Sequence, residues 1–301
     1  MSEYHNPVML AECIEGLDIR NDRIYVDVTF GGGGHSQEIL KHLDHDGKLI
    51  AFDQDDEARA NADLIENRSF TFVQSNFRHL KKYLKLHGVK QVDGILADLG
   101  VSSHQINAAY RGFSTRFDGP LDMRMDQNQE LSAKEVVNGY EEPELHRILG
   151  QYGEVRNART LAHAIVRSRA SQIESIQEFL EVVRPLAPRG KENKYLAQVF
   201  QALRIEVNEE LKALEEMLLQ CADTIKSGGK LVIMSYHSLE DRLVKNFINK
   251  GKFFGEVEKD LFGNDIKPFR ALTRKPITAS NKELNENNRA RSAKLRIAEK
   301  I

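Results

Sequence analysis

The chain has 301 residues, of which 41% are hydrophobic and 29% are charged, and its formal net charge is −2. This composition is typical of a folded globular protein rather than a disordered chain. No apolar run is long enough to cross a membrane, and the first residues lack the basic and apolar regions of a signal peptide, so we expect a cytoplasmic protein without a membrane partner. The two cysteines, Cys13 and Cys221, match no metal or redox spacing, which predicts ordinary reduced thiols and no bound metal.

The first hundred residues alternate between strand and helix patterns. Repeated strand–helix units of this spacing indicate a parallel sheet with helices on both faces, which is an α/β fold. The predicted strands are Ile24–Phe30, Lys48–Asp53, Phe70–Gln74 and Val92–Leu99, and the predicted helices are 35–43, 55–66 and 78–87.

The pattern changes between residues 105 and 205, where only helical stretches occur. Ser132 and Glu135 have capping-box spacing, and Ser175–Val183 places four apolar side chains on one helix face. A stretch of roughly one hundred residues is long enough for a small domain of its own. We therefore predict an inserted all-helical domain at 105–205.

The strand pattern resumes after the insertion. A long helix is predicted at Glu206–Lys226, Ser227–Gly229 ends it, and Lys230–Met234 is the fifth strand. Two late segments, Phe269–Arg274 and Lys294–Ala298, predict a closing pair of strands at the sheet edge. The sheet domain is thus predicted to be discontinuous, comprising residues 1–104 and 206–301.

A glycine cluster, Gly31–Gly34, lies between the first predicted strand and helix. Glycine permits a tight turn and close backbone approach, and a helix N-terminus offers unpaired N–H groups to a ligand. Asp53 ends the second predicted strand, where its carboxylate can accept both hydroxyls of a ribose. Ser36 stands where a dinucleotide fingerprint has its third small residue. A nucleotide-type site and a purely structural turn are the two interpretations.

Asp98 ends the fourth predicted strand, which is otherwise apolar. An ionised carboxylate in such a place needs a partner. The carboxyl ends of the strands border the ligand crevice of open α/β sheets, so the partner could be a ligand. A helix cap or a turn hydrogen bond is the alternative role for Asp98.

Two segments carry an excess of basic residues, although the whole chain is nearly neutral. Residues 267–296 hold nine Lys or Arg against two Glu, and residues 155–170 hold four Arg and no acidic residue. Such clusters suit contact with nucleic-acid phosphates, because each neutralised phosphate releases counterions. A solvated basic face is an equally open interpretation.

Ten short motifs occur in order along the chain. They are HNPVML (His5–Leu10), DVTFGGGGHS (Asp27–Ser36), FDQD (Phe52–Asp55), SNF (Ser75–Phe77), VDGILADLGVSSHQI (Val92–Ile106), RGFS (Arg111–Ser114), LDMRMD (Leu121–Asp126), FQALRIEVN (Phe200–Asn208), SYHSLEDR (Ser235–Arg242) and NNRARSAKLRIAE (Asn287–Glu299). Together they resemble the MraW methyltransferases, a family that methylates N4 of a cytidine in the decoding region of bacterial 16S ribosomal RNA.

The resemblance implies a class I methyltransferase fold, which is a doubly wound α/β sheet, with the inserted helical domain recognising the substrate. It implies S-adenosyl-L-methionine as the cofactor and 16S ribosomal RNA, within the small ribosomal subunit, as the partner, with no role for DNA. The chain departs from the family at His104, where proline is usual, and at Lys191–Val199, which lacks the usual HPA-containing stretch. Both departures concern substrate contacts. The implied cofactor contacts are Gly33, Gly34, His35, Asp53, Phe77, Asp98 and Gln105.

The chain lacks the Asp/Asn-Pro-Pro-aromatic motif with which many amino-methyltransferases hold the target nitrogen. Another group must therefore accept the N4 hydrogens. Candidate acceptors are the backbone carbonyls of Leu99–Val101, the hydroxyls of Ser102, Ser103 and Ser235, and the imidazole of His237. His237 could also take the released proton, and helix capping is its alternative role. RNA contacts are predicted for Arg111, Arg116, Arg156, Arg159, Arg289 and Arg291.

Three other functions fit parts of the sequence. An NAD-dependent oxidoreductase would need the dinucleotide glycine pattern, which Ser36 weakens. A non-catalytic RNA-binding or assembly factor would keep the cofactor only for stability. A methyltransferase of small molecules or proteins is disfavoured by the basic clusters and by the motifs.

Overall fold

The structure, a computed structural model, describes residues 7–301. His5 and Asn6, which begin the first motif, lie outside the described residues. The chain divides into two compact units: residues up to Gly100 together with Leu211–Ile301, and Val101–Glu210. The second unit extends a few residues beyond the predicted insertion at both ends. None of the helices within residues 7–301 is both long enough and apolar enough to cross a membrane.

Nine strands in the described residues form two sheets. They are β1 (Ile24–Asp27), β2 (Lys48–Asp53), β3 (Phe70–Gln74), β4 (Val92–Asp98), β5 (Ile225–Ser235), β6 (Glu258–Lys259), β7 (Asp265–Ile266), β8 (Phe269–Ala271) and β9 (Lys294–Lys300). The main sheet has the order β3-β2-β1-β4-β5-β9-β8, and β6 pairs only with β7. Strands β1 to β5 are parallel, whereas β9 runs antiparallel to both β5 and β8.

Thirteen α-helices connect these strands within the described chain. They are α1 (Leu10–Leu17), α2 (Gly34–Lys41), α3 (Asp56–Ala62), α4 (Leu80–Leu86), α5 (Ser103–Asn107), α6 (Ala133–Gly139), α7 (Glu142–Gln151), α8 (Ala158–Ser168), α9 (Ile176–Val183), α10 (Glu192–Val207), α11 (Glu210–Thr224), α12 (Ser238–Lys250) and α13 (Asn281–Glu286). The three helices predicted in the first hundred residues correspond to α2, α3 and α4, whereas α1 was not predicted.

The main sheet is buried on both faces. Successive side chains of a strand point to opposite faces of the sheet, so one strand contributes to both cores. In β5, Leu231 and Ile233 join a core with α11 and α12, whereas Val232 and Met234 join a second core with α1. This double burial explains the continuous apolar runs of the parallel strands. The predicted doubly wound α/β sheet is confirmed.

The helical unit has a core of its own, which α6 to α10 share. Phe179 of α9 and Phe200 of α10 belong to this core, with ring centroids 6.1 Å apart. In α8, Leu161 and Ile165 are buried in this core. The apolar positions of α8 thus lie on one side, as the helical spacing predicts.

The long helix predicted at Glu206–Lys226 is wrong at its start. Helix α10 ends at Val207, and α11 begins at Glu210. Between them Glu209 has a positive φ of 47°, which interrupts the helix. The Asn208 amide fixes this break by donating to the Met123 carbonyl at 2.8 Å and accepting from the Met125 N–H at 2.7 Å.

Strand β5 begins before Ser227–Gly229 rather than after it, so the predicted start at Lys230 is also wrong. Its pairing with β4 shifts register between Val92 and Gly94. A Cβ atom at Gly229 would lie 2.8 Å from the Asp93 carbonyl oxygen, so only glycine fits this irregular pairing. The predicted closing pair of strands is confirmed by β8 and β9.

Candidate cofactor site and basic surfaces

The glycine cluster forms the turn between β1 and α2. Gly33 precedes α2 with a φ of +79°, in the left-handed region that favours glycine. A Cβ atom there would lie 2.7 Å from the Phe30 ring, and one at Gly34 would collide with Pro7. A Cβ atom at Gly32 would meet nothing within 4 Å. The turn is therefore packed on one side and leaves room beside Gly32.

Asp53 ends β2 and holds the glycine turn in place. Its Oδ2 accepts a hydrogen bond from the Gly31 N–H at 2.8 Å, and its Oδ1 accepts one from the Asp55 N–H at 3.0 Å. Burial raises the pKa of Asp53 to about 6, although these N–H groups act in the opposite direction. A carboxylate oxygen has two lone pairs, so each oxygen of Asp53 retains capacity for a hydroxyl donor.

Asp98 ends β4 between two partners. Its Oδ1 accepts a hydrogen bond from the Tyr236 hydroxyl at 2.7 Å, and its Oδ2 lies 3.9 Å from Nδ1 of His35. The other ring nitrogen of His35, Nε2, lies 3.1 Å from the Val8 carbonyl oxygen, so it is the nitrogen that donates. Burial raises the pKa of Asp98 to about 6, and both partners counteract this rise.

A buried carboxylate, Asp27, connects β1 with α2 and β4. Its Oδ2 accepts from the Ser36 hydroxyl at 2.7 Å, and its Oδ1 accepts from the Thr29 N–H at 3.0 Å. The Thr29 hydroxyl oxygen in turn accepts from the Asp98 N–H at 2.6 Å. Burial raises the pKa of Asp27. The position that departs from the dinucleotide fingerprint, Ser36, therefore supplies a partner that the buried Asp27 needs.

Phe77 follows the carboxyl end of β3 in a short 3₁₀ turn, Phe77–His79. Asn76 starts this turn by accepting from the Arg78 N–H at 2.9 Å. The Asn76 amide also donates to Gln54, just after β2, at 2.8 Å. The half-buried Phe77 packs against the main core. It thus lies at the same edge of the sheet as Asp53.

Gln105 belongs to the helical unit, where it is buried in α5. Its side-chain oxygen accepts from the Ser102 N–H at 2.9 Å, and the Ser102 hydroxyl accepts from the Gln105 N–H at 3.2 Å. This reciprocal capping box fixes the start of α5. The structure thus gives Gln105 a helix-capping role.

Ser235 and His237 flank Tyr236 at the end of β5. The Ser235 hydroxyl is buried and donates to the Lys294 carbonyl at 3.4 Å. His237 caps α12: its Nδ1 accepts from the Glu240 N–H at 3.4 Å, and its Nε2 lies 3.2 Å from Glu240 Oε1. The His237 side chain is only 8% exposed. Both residues therefore have structural partners, and the capping alternative describes the contacts of His237.

The predicted RNA-contacting arginines of the helical unit differ in exposure. Arg156 and Arg159 are exposed. Arg116 is also exposed and donates to Ser114 and Asn107.

Arg111 is placed differently, because it is 1% exposed and donates to the carbonyls of Arg124 and Met125 at 3.0 and 3.2 Å. The expectation that Arg111 contacts RNA is corrected, because its guanidinium holds a loop of its own unit and lies away from the surface.

The basic residues near the end of the chain also divide into two groups. Arg291 is exposed and Arg289 is partly exposed. Arg296, in contrast, is buried in β9 and pairs with Asp241 at 2.7 Å, and Lys294 lies 3.5 Å from the same carboxylate. Part of this charge excess therefore stabilises the sheet edge.

Residues 2–301 match the family model described as the MraW methylase family. The chain belongs to this family. A methylase of this kind uses S-adenosyl-L-methionine, and the family match decides against the NAD-dependent oxidoreductase. The resemblance inferred from the ten motifs is confirmed.

Relatives of this MraW methylase carry a more specific name. The ribosomal RNA small subunit methyltransferase H of Cytophaga hutchinsonii is 59% identical over 298 residues, which cover 99% of each chain. The protein of the same name from Christiangramia forsetii is 55% identical over 302 residues, covering 100% of this chain and 99% of the other. Among solved structures, an rRNA methylase from Streptococcus thermophilus aligns with a TM-score of 0.39 and 14% identity, covering 97% of this chain and 93% of that one.

Two features of the sheet edge that holds the candidate cofactor site were not predicted. Tyr236 follows the apolar strand β5, where a tyrosine is ordinarily a core residue. Asp27 precedes the glycine turn, and its role depends on hydrogen bonds to residues on other elements. The only sequence signal was that both residues lie inside family motifs, SYHSLEDR and DVTFGGGGHS.

Proposed function

We propose that this chain transfers a methyl group from S-adenosyl-L-methionine to N4 of a cytidine in the decoding region of 16S ribosomal RNA, acting on the small ribosomal subunit in the cytoplasm. The observation that carries the proposal is the whole-length family match, together with two partly buried carboxylates of raised pKa, Asp53 and Asp98, at the strand ends. The names of the relatives supply the substrate class.

Three parts of the sheet edge fit three parts of the cofactor. Asp53 would accept the ribose hydroxyls, because its oxygens keep lone pairs beyond those that its two N–H donors use. Phe77 would pack against the adenine. The backbone at Gly33–His35 would approach the methionine part through the room beside Gly32. Gln105 remains a proposed contact on the resemblance alone.

Asp98 fits the cofactor's ammonium group. An ionised carboxylate whose pKa is raised by burial gains most from a cationic partner. The Tyr236 hydroxyl and His35 approach Asp98, and its oxygens retain lone pairs for a further donor. We therefore assign Asp98 to the methionine end of the cofactor and Asp53 to the ribose.

The bound cofactor supplies a sulfonium-activated methyl group. The chain must hold cytosine N4 in line with it and accept the N4 hydrogens, so that the nitrogen lone pair is localised. The side-chain candidates were Ser102, Ser103, Ser235 and His237. Ser235 and His237 are engaged in structural contacts, and the Ser102 hydroxyl caps α5. We favour the backbone carbonyls of Leu99 and Gly100, which directly follow Asp98, as acceptors, with Ser235 and His237 as alternatives.

We propose that the helical unit recognises the RNA through the exposed Arg116, Arg156 and Arg159, with Arg289 and Arg291 as contacts from the other unit. Their guanidinium groups suit phosphate contact. The target cytidine must be unpaired or flipped out of its stack before N4 can reach the methyl group.

The proposal is tested by methyl transfer to rRNA that lacks the modification. Free 16S rRNA and intact small subunits, both prepared from a bacterial strain without the corresponding gene, are incubated with methyl-labelled cofactor. The RNA is then digested and its nucleosides are separated by mass. We expect the label in N4-methylcytidine from a decoding-region fragment, in at least one of the two substrates.

Two variants calibrate this assay. Asp98→Asn should lose transfer, whereas Asp63→Ala, at a side chain that is 69% exposed, should retain it. Label in a different nucleoside would refute the N4 assignment, and label outside the decoding region would refute the position. No transfer to either substrate by a chain that binds the cofactor would support the non-catalytic alternative.

A further inference from the structure

The hydrogen bond between Tyr236 and Asp98 joins two neighbouring strands at the cofactor edge. Asp98 ends β4 and Tyr236 follows β5 directly, so the parallel pairing of these strands brings the two side chains together. The Tyr236 hydroxyl donates to Asp98 Oδ1 at 2.7 Å. The Tyr236 N–H is itself fixed, because it donates to Glu240 Oε2 of α12 at 2.9 Å. Tyr236 is thus held from its backbone and holds the carboxylate through its hydroxyl.

Two hydrogen bonds hold Asp98: its backbone N–H donates to the Thr29 hydroxyl at 2.6 Å, and its Oδ1 accepts from Tyr236. Its Oδ2 lies 3.9 Å from Nδ1 of His35, which is beyond hydrogen-bond distance. The two hydrogen bonds fix the backbone position and the rotation of the carboxylate. Such fixed orientation matters for a group that binds a ligand, because a preformed geometry removes the ordering cost of binding.

From this geometry we infer that Tyr236 is a positioning residue of the cofactor site, which orients the Asp98 carboxylate toward the ammonium group of S-adenosyl-L-methionine and keeps that carboxylate ionised. The inference rests on the proposed assignment of Asp98 to the cofactor's methionine end. It is independent of the RNA substrate, because it concerns cofactor binding alone.

The proposed contact with the ammonium group requires an ionised Asp98. Among residues 7–301, the ionisable groups that interact electrostatically with Asp98 include Tyr236 after β5, His35 on α2, Asp27 on β1, Glu240 on α12 and Cys13 on α1. Burial is the largest cause that raises the pKa of Asp98, and the charges of Asp27 and Glu240 also raise it, whereas His35 and Tyr236 lower it; the net pKa is about 6. Loss of the Tyr236 hydroxyl therefore moves the pKa upward, and ionised Asp98 is lost at a higher pH during acidification.

The test uses Tyr236→Phe, which keeps the ring and removes only the hydroxyl. Binding of two probes is measured by calorimetry from about pH 5.5 to about pH 7.5. S-adenosylhomocysteine carries the amino-acid part, whereas 5′-methylthioadenosine has the same adenosine without it. We expect Tyr236→Phe to weaken S-adenosylhomocysteine roughly tenfold, to leave 5′-methylthioadenosine unchanged, and to shift the acid-side loss of S-adenosylhomocysteine affinity to higher pH.

Tyr25→Phe is the matched control, because Tyr25 is a buried tyrosine of the same sheet whose hydroxyl accepts from the Arg20 N–H at 2.7 Å. It should change the affinity of neither probe. Equal weakening of both probes by Tyr236→Phe would overturn the inference in favour of general packing, and an unchanged pH profile would overturn it as well. Asp98→Asn is measured in parallel: if it leaves S-adenosylhomocysteine binding intact, the assignment of Asp98 fails and this inference fails with it.

Discussion

Replacing Asp53 by alanine separates two roles of one carboxylate, binding the cofactor and fixing the glycine turn. In the free protein the change removes the acceptor for the Gly31 and Asp55 N–H groups, which costs about 1–3 kcal/mol for each group left without a partner. It also removes the free-energy cost of keeping an ionised carboxylate in the folded state. The rise in the pKa of Asp53 from 3.8 to about 6 means that the ionised carboxylate destabilises the folded state by about 3 kcal/mol at neutral pH.

These opposing effects predict a melting temperature close to that of the unchanged chain at about pH 7.5. The difference in stability between the two chains changes at acidic pH. As the pH falls through about 6 the folded carboxyl becomes protonated, so the unchanged chain loses its penalty and gains stability that Asp53→Ala cannot gain. The variant should therefore become the less stable of the two below about pH 6, which thermal unfolding at several pH values measures.

Cofactor binding is expected to respond much more strongly. Losing charge-assisted hydrogen bonds to the ribose should weaken affinity by about 1.5–3 kcal/mol, or about tenfold to a hundredfold. Both S-adenosylhomocysteine and 5′-methylthioadenosine should be affected, because both contain the ribose. Asp63→Ala is the control for loss of an exposed carboxylate of the same sheet unit. Affinities within twofold of the unchanged chain, together with a normal melting curve, would remove Asp53 from the ribose site.

Three further predictions concern the RNA surface and the buried polar groups. Reversing Arg156 and Arg159 to Glu should weaken RNA binding and flatten its salt dependence while sparing cofactor affinity; normal binding at every salt concentration would make them only a solvated face. Arg111→Met should instead lower the melting temperature and leave the salt dependence of RNA binding unchanged; a changed salt dependence would indicate that Arg111 contacts RNA. Ser36→Ala should lower the free energy of unfolding by about 1–3 kcal/mol at pH 7, and by less at acidic pH, because burial raises the pKa of Asp27 and so favours its protonation; an equal loss at neutral and acidic pH in urea unfolding would contradict this.

The parallel sheet and its ligand edge could be predicted because they depend on local sequence. The bounds of β2 and β3 were predicted to the residue, because parallel strands are largely apolar runs that polar turn residues separate. Asp53 and Asp98 were singled out for a related reason. A carboxylate that closes an apolar strand is unusual, and the strand itself fixes the edge at which it lies.

The features that were missed depend on contacts between distant residues. The helical pattern runs without interruption through residue 208, whereas the break there is accompanied by hydrogen bonds between the Asn208 amide and the distant Met123 and Met125. Arg111 is buried by the same loop, against the general exposure of arginine. The partnership of Tyr236 with Asp98 likewise follows from strand order, because β5 becomes the neighbour of β4 only after the helical unit has intervened.

The interrupted sheet has a consequence for how the chain folds. Strands β1 to β4 are complete within the first hundred residues, but residues 99–224 are synthesised before β5, the neighbour of β4 in the sheet. Closing that loop costs about 2 kcal/mol more than closing a crossover of a dozen residues. The last strand, β9, then inserts between β5 and β8, so the sheet is completed only by the end of the described chain. During synthesis, β4 therefore presents an unpaired apolar edge, a known aggregation risk, and we expect folding to end with a slow, non-local step.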